Sequence, residues 1–213
     1  MPDYMENHLD MPLRKVLEII QDGIMNRTTY FGVKTLKGPI DSWIYQEIIF
    51  ETQPDTIIEI GNANGGSALL LAHLCDNIGK GRIIGLDLSH ETVPPFVKSH
   101  PRITFIDGDA CLTFAQVERL LSKDEKILVI DDSAHTFDHT LNVLRLYSKL
   151  IKIGDYFIVE DGICHHGLDI GPNPGPYEAV AAFLKENEAF EMDRSRERFL
   201  LTWNPKGYLR RVS

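Results

Sequence analysis

The chain has 213 residues, 43% of them hydrophobic, which suits one domain with a full core or a domain with a short appendage. A formal charge of −9 without any long basic run argues against sequence-independent binding of nucleic acid. No apolar run approaches a membrane span, the start of the sequence does not read as a secretory signal, and three cysteines without metal-ligand spacing suit a reduced, cytoplasmic compartment.

Taken in order, Leu13 to Met25 carries Val16, Leu17, Ile19, Ile20 and Ile24 at roughly helical spacing. The stretch "TYFGVKTLKGPID" reads as loop, and Asp41 is placed to cap a helix bearing Ile44, Ile48 and Ile49 on one face. From there apolar strands alternate with helices. "TIIEIG", "GRIIGLDLS", "ITFIDGDA", "KILVIDDS" and "GDYFIVED" read as strands; "GSALLLAHLCDNI", "TFAQVERLLSK", "FDHTLNVLRLYSKLI" and "GPYEAVAAFLKEN" read as helices. Continuous apolar strands in such alternation predict an α/β fold, a mostly parallel sheet with helices on both faces. "FEMDRS" and "RFLLTW" supply two further strands, expected as an antiparallel hairpin at the sheet edge. The division this suggests is an N-terminal helical cap over 1–50 and a Rossmann-like domain over 51–213.

Ligands of such sheets sit at the carboxyl ends of the strands. Those ends are Gly61 and a series of carboxylates: Asp87, Asp107, the pair Asp131 and Asp132, and the pair Glu160 and Asp161. The first ends "EIGNANGGS", with Glu59 just inside the strand and glycines at 61, 65 and 66 leading into a helix N-terminus. A dinucleotide fingerprint wants G-x-G-x-x-G, and Ala63 occupies its middle glycine. The acidic-x-Gly opening resembles motif I of the class I methyltransferases; the plain alternative is a glycine-rich turn of any α/β protein. Asp87 is positioned to accept ribose hydroxyls, and the loop carrying Asp109 to flank an adenine.

Asp132 precedes Glu160 and Asp161 by one intervening helix, so three carboxylates can converge. They suit a hard ion such as Mg2+, which would acidify a substrate hydroxyl. The alternative is a salt-bridged network. Neither motif contains Arg or Lys, and Arg145 and Arg194 are the basic residues considered to reach the carboxylates from elsewhere. His135, three residues beyond Asp132, is the candidate general base. His139, one helical turn on, is structural or substrate-facing. His165 and His166 sit on the Gly/Pro loop that is expected to cover the acceptor, with Tyr30 and Phe31 on its other side.

"TYFGVKTLKGPIDSWIYQEIIFETQPDTIIEIGNANGGSALLLA", "VIDDSAH", "FIVEDG", "GPNPGPYEAV" and "RFLLTWNPKGYLRR" together resemble the family of cephalosporin hydroxylase-type proteins and bacterial rhamnosyl O-methyltransferases. The resemblance runs from about Thr29 to Arg211. It implies a class I methyltransferase fold that binds S-adenosylmethionine, often with Mg2+, and forms homo-oligomers. The cofactor residues it implies are Glu59, Gly61, Asn62, Asn64, Gly65, Ser67, Asp87 and Asp109; Asp131 is added to them from its strand end. The metal set is Asp132, Glu160 and Asp161, a spacing also similar to the metal-dependent catechol O-methyltransferases, with His135 where those carry a lysine base. Family members often have an acidic or amide residue just before the histidine. Ala134 stands there in this chain, so Asp132 or Asp131 must substitute. The expected reaction is O-methyl transfer to a small hydroxylated acceptor, a sugar or secondary metabolite, contacted by Tyr30, His139 and His165. N-methyl transfer on the same scaffold, or a non-catalytic cofactor-binding subunit of a hydroxylase pathway, are the alternatives.

Overall fold

The computed structural model describes residues 4–213. After a 3-10 turn at Met5–Asn7, α1 (Leu13–Arg27) leads to a hairpin of β1 (Thr29–Tyr30) and β2 (Val33–Lys34), then to α2 (Pro39–Thr52). Phe31 and Gly32 turn that hairpin with φ of 47° and 80°, the two positive values a tight two-residue turn requires. The alternating region follows as β3 (Thr56–Ile60), α3 (Gly66–Ile78), β4 (Arg82–Asp87), a short α4 (Pro95–Lys98), β5 (Ile103–Asp107) and α5 (Ala110–Leu120). It continues with β6 (Ile127–Asp131), α6 (Phe137–Tyr147), a 3-10 turn at Ser148–Leu150, β7 (Tyr156–Val159) and α7 (Pro176–Glu186). The chain closes with β8 (Phe190–Met192), a 3-10 turn at Arg194–Glu197 and β9 (Tyr208–Arg211).

Seven strands form one sheet in the order β5-β4-β3-β6-β7-β9-β8. The first five are parallel, and β9 runs antiparallel to both β7 and β8. Strand order reverses at β3, between β4 and β6, and that reversal opens a crevice at the carboxyl ends. Successive residues of β3 serve opposite faces. Ile57 packs with Ile44 and Ile48 of α2 and Leu69 and Ala72 of α3. Ile58 and Ile60 pack with Val117 of α5, Leu144 of α6 and Phe183 of α7. Burying one such side chain stabilises by about 1.5–3 kcal/mol, which is why both faces must be covered and why the strands read as unbroken apolar runs.

Three expectations are corrected. Asp41 does not cap α2: Gly38 is the N-cap, and Asp41 lies inside the first turn and is buried. Its carboxylate accepts hydrogen bonds from the Thr202 hydroxyl (2.5 Å), the Trp203 amide (2.9 Å) and the Tyr208 hydroxyl (2.8 Å), so it ties α2 to the C-terminal segment. "RFLLTW" is not a strand; Tyr208–Arg211 pairs with β7 and β8 instead. The run misleads because its apolar residues face different surroundings: Phe199 and Leu200 are exposed, while Trp203 packs with Leu17 and Ile24 of α1. The link between β8 and β9 is accordingly a long crossing, not a short turn. The boundary expected at residue 50 falls inside α2, whose buried face belongs to the sheet core.

Candidate active site

At the end of β3, Gly61 adopts φ 88°, and a Cβ there would stand 1.9 Å from the Asp132 carbonyl oxygen, so only glycine lets the two strand ends close together. Beyond it the chain turns over Asp87. The backbone amides of Asn62 and Ala63 donate to Asp87 Oδ2 at 2.9 and 2.8 Å, and that of Leu88 to Oδ1 at 2.7 Å. Asp109 caps α5 through the amides of Cys111 and Leu112. His139 Nδ1 lies 3.8 Å from the other Asp109 oxygen.

Behind the glycine loop a polar chain runs from the buried Glu59, Asn62 and His90 out to the exposed Asp107. Asn62 donates its side-chain amide to Glu59 Oε2 (2.5 Å), and its oxygen faces His90 Nε2 (3.2 Å); His90 Nδ1 meets Asp107 Oδ1 (2.5 Å). Glu59 is fully buried, and burial raises its pKa against the opposing pull of Lys37.

The carboxylates of β6 and β7 do converge, and a lysine joins them. Lys37, from the segment between β2 and α2, is 4% exposed. Its ammonium lies 2.7 Å from Asp132 Oδ2, makes a shorter contact with Glu160 Oε1, and stands 3.7 Å from Glu59 Oε1. Arg145 and Arg194 are elsewhere, paired with Glu186 and Glu197. Burial alone would lower the Lys37 pKa, but Asp132, Glu160 and Glu59 hold it well above its usual value. One ammonium does not balance the group. Burial and the Asp132 charge push Glu160 well above the usual carboxyl range, and burial pushes Asp132 up to about 6 despite Lys37. On the other side of Asp132, His135 Nε2 lies 3.8 Å from Asp132 Oδ1 and 3.3 Å from Asp161 Oδ2. Asp132, His135 and Asp161 present ligand atoms all within 4.8 Å of one another. His135 and Asp161 both adopt left-handed backbone at φ 55°, an uncommon conformation for such residues that aims both at this point.

A cavity of about 450 Å³ unites these parts. Gly61, Asn62, Ser67, Asp87 and Asp109 line one end, with His139; Asp132, His135, Glu160 and Asp161 line the other. Six expected residues do not line it. Glu59 is covered by Asn62 and Lys37, and Asn64 and Gly65 turn away as the loop enters α3. Asp131 points into the interior, where Oδ1 accepts from the Ser133 hydroxyl and Oδ2 has no hydrogen-bond partner among the described residues. Burial raises its pKa. Asp131 therefore does not stand in for the residue missing at Ala134, whereas Asp132 faces the cavity. Tyr30, expected as an acceptor contact, lies outside the cavity, its hydroxyl bonded to His73 Nδ1 on α3 at 3.1 Å. His165 is exposed and bonds the Gly171 carbonyl, and His166 stacks on Tyr177 at 3.6 Å. The N-terminal contribution to the cavity comes instead from Gln21, Ile24 and Met25 of α1 and from residues 34–38, which lead from β2 to α2, joined by Trp203. The helical period of α1 hinted at a buried face, but nothing local placed it here.

The family model "Rhamnosyl O-methyltransferase/CmcI" matches residues 22–212. A rhamnosyl O-methyltransferase of Mycobacterium leprae (strain TN) is 36% identical over 194 residues, covering 87% of this chain and 84% of that protein. Its counterpart in Mycobacterium tuberculosis (strain ATCC 25618 / H37Rv) is 35% identical over 193 residues, covering 87% and 79%. Among solved structures, a CmcI form described with Mg and SAM matches at TM-score 0.69 and 28% identity, covering 87% of this chain and 77% of that one. An O-methyltransferase from Bacillus cereus in complex with SAH shares the fold at TM-score 0.58 and 17% identity, covering 86% and 84%. The chain belongs to the rhamnosyl O-methyltransferase/CmcI family.

Proposed function

We propose that this protein transfers the methyl group of S-adenosylmethionine to a hydroxyl of a sugar or other small metabolite, with a divalent cation, Mg2+ by expectation, at the carboxylate cluster. The supporting observation is that one cavity joins the glycine loop and Asp87 to the Asp132, His135 and Asp161 group. The residues fit both groups. The cavity is lined by an excess of carboxylates, which suits a cofactor bearing a sulfonium and an ammonium. Glu59, Asp132, Glu160 and Asp161 outnumber the one buried ammonium, and the raised Asp132 and Glu160 pKa values mark charge that a cation would balance.

Gly61, Asn62, Ser67, Asp87 and Asp109 would hold the cofactor, and Asp132 and Asp161 the cation, whose oxygen donors suit a hard ion. When bound, the cofactor supplies the methyl group and the cation supplies polarisation of the acceptor hydroxyl. His135 Nε2 faces the same point and takes the hydroxyl proton. Asp87 and the glycine loop fix one partner while α1, through Gln21, Ile24 and Met25, shapes the space for the other; positioning of this kind is a large part of bimolecular catalysis. Glu160, expected as a third ligand, lines the same cavity with its Oε1 on Lys37, outside the close group of Asp132, His135 and Asp161. The rhamnosyl substrates in the relatives' names favour a sugar hydroxyl as acceptor. Three free cysteines support a reduced, cytoplasmic setting, and Trp43 and Phe50, exposed on one face of α2, support self-association. Among the described residues no helix is long and apolar enough to cross a membrane. The test is methyl transfer from labelled S-adenosylmethionine to a panel of sugar glycosides with Mg2+ or with EDTA. Transfer that persists in EDTA would remove the cation from the reading, and transfer unaltered in His135→Ala would remove the base.

A further inference from the structure

The polar chain behind the glycine loop constrains a proton. His90, in the loop after β4, is 4% exposed, and each of its ring nitrogens faces an acceptor. Nδ1 meets Asp107 Oδ1 at 2.5 Å, and Nε2 meets Asn62 Oδ1 at 3.2 Å. The Asn62 amide cannot turn to relieve this. Its Nδ2 donates to Glu59 Oε2 (2.5 Å) and to the Glu59 backbone carbonyl (3.3 Å), and a carbonyl has no proton to give to an amide oxygen put in that place. Asn62 Oδ1 therefore accepts. Asp107 Oδ1 also accepts the His90 backbone amide (3.2 Å) and is open to water, so it stays ionised. A neutral imidazole has one donor and one acceptor nitrogen; only the imidazolium donates at both. The contact has space made for it: a Cβ on Gly85 would stand 2.6 Å from Asn62 Oδ1 and 2.8 Å from the Phe105 ring, which lies 4.4 Å from the His90 ring between centroids. A buried charge needs a partner, and Asp107 supplies it. The His90 hydrogen bond in turn lowers the Asp107 pKa. Other charged groups near the ring are Lys98 of α4, which acts on the same carboxylate, and the exposed Glu91 beside it in the chain. Glu59 lies behind Asn62, with Lys37 3.7 Å beyond, and Asp87 lies across the Asn62 backbone.

We propose that His90 is a positioning residue whose positive charge holds the glycine loop in its cofactor-binding shape. The link is short. The Asn62 side chain that His90 holds belongs to the residue whose backbone amide donates to Asp87 Oδ2, and both Asn62 and Asp87 line the cavity. Thr92, on the same loop as His90, donates its hydroxyl to the Ala63 carbonyl (3.3 Å) and holds the turn at a second point. Loss of the ring proton leaves a bare nitrogen against Asn62 Oδ1 or Asp107 Oδ1, and that hold opens. This rests on the cavity taking S-adenosylmethionine. It goes beyond that reading by assigning a charge, and with it a pH dependence, to a residue outside the cavity lining. Affinity is full while the ring is charged and declines as pH rises and the proton leaves.

The ring is read by nitrogen NMR of histidine-labelled protein, with His90→Gln identifying its signals. Binding of S-adenosylmethionine is followed by calorimetry across a pH series on wild type, His90→Gln and Asp107→Asn. Gln carries no charge and has an acceptor oxygen in place of one donor. Asp107 is exposed, so Asp107→Asn keeps the test open if His90→Gln does not fold. Wild type is expected to show two protonated His90 nitrogens at neutral pH, and an affinity that falls as the ring loses its proton. His90→Gln should bind about tenfold more weakly at neutral pH, the scale of a hydrogen bond to a charged group, and lack that fall. In Asp107→Asn the ring deprotonation and the fall in affinity should both move to lower pH, because the carboxylate that favours the charged ring is gone. The ligand's own amino group titrates alike in every sample, so the difference between wild type and variant is the readout. A neutral His90 ring in the folded wild type at neutral pH overturns the proposal, as does one affinity and one pH profile shared by wild type and His90→Gln. Absence of binding by wild type at every pH overturns the cofactor reading itself, and the proposal with it; whether wild type binds tells the two failures apart.

Discussion

Replacing Asp41 with alanine removes a single carboxylate on which three donors converge. Two are the hydroxyls of Thr202 and Tyr208, and one is the Trp203 amide. Tyr208 is 1% exposed and Trp203 5%, so water is not at hand to replace the lost acceptor. The hydroxyls can rotate, and about 1 kcal/mol each is a fair cost; the backbone amide is fixed, and leaving it unpaired costs about 2 kcal/mol. The loss is then about 4 kcal/mol, a large part of the roughly 5–15 kcal/mol that holds a domain folded. A chain of this length should melt about 10 °C lower. Urea titration followed by tryptophan fluorescence is the assay, since Trp203 lies at the anchor and a common slope shows that both proteins unfold alike. Asp41→Asn, which retains one acceptor oxygen, should fall between. A loss for Asp41→Ala below about 1 kcal/mol would refute the anchor, because it would place the donors on other partners.

Asp87→Ala, checked for an intact fold by circular dichroism, should weaken S-adenosylmethionine by about ten- to a hundredfold in calorimetry, the worth of hydrogen bonds to one charged group. Asp132→Asn should abolish Mn2+ binding while cofactor binding persists, since Asp132 Oδ1 and Asp161 Oδ2 are the oxygens that face the cavity point. Asp132 has its pKa pushed up to about 6, so it is charged above that pH. Mn2+ affinity should therefore be full above about pH 7 and decline as pH falls through about 6, read as a pH series of the same titration. Without an ion the sign for folding is the reverse: the folded chain keeps a proton that the unfolded chain releases near pH 4, so this group's contribution to stability declines as pH rises toward 6. His165→Ala should leave cofactor and Mn2+ binding unchanged, because that ring is exposed and bonds Gly171 outside the cavity.

The parts of the fold that the sequence made legible are those where burial leaves a local trace. Strands covered on both faces read as apolar runs, and their acidic ends at Asp87, Asp109, Asp132 and Asp161 do meet in one cavity. What stayed hidden depends on distant partners. Lys37 sits in a loop, 95 residues before Asp132 and 123 before Glu160, and no spacing rule links them. Asp41 looked like a helix cap because helix starts favour aspartate, yet its donors lie at 202–208. "RFLLTW" carried strand-like residues whose burial differs one by one, which only the packing against α1 decides. The histidines beside the carboxylates suffered similarly: His135 turns toward the cluster on a left-handed backbone, while His165 turns outward on one of the same kind.

The most direct test of the central claim is a product assay. The protein, S-adenosylmethionine and Mg2+ are incubated with rhamnose-bearing and other sugar glycosides, and products are read by mass spectrometry alongside S-adenosylhomocysteine. An O-methylated sugar is expected to form in step with S-adenosylhomocysteine, and to be lost with EDTA and in Asp132→Asn. No binding of S-adenosylmethionine by the folded protein, or methylated product formed equally well with Mg2+ and with EDTA, would contradict it.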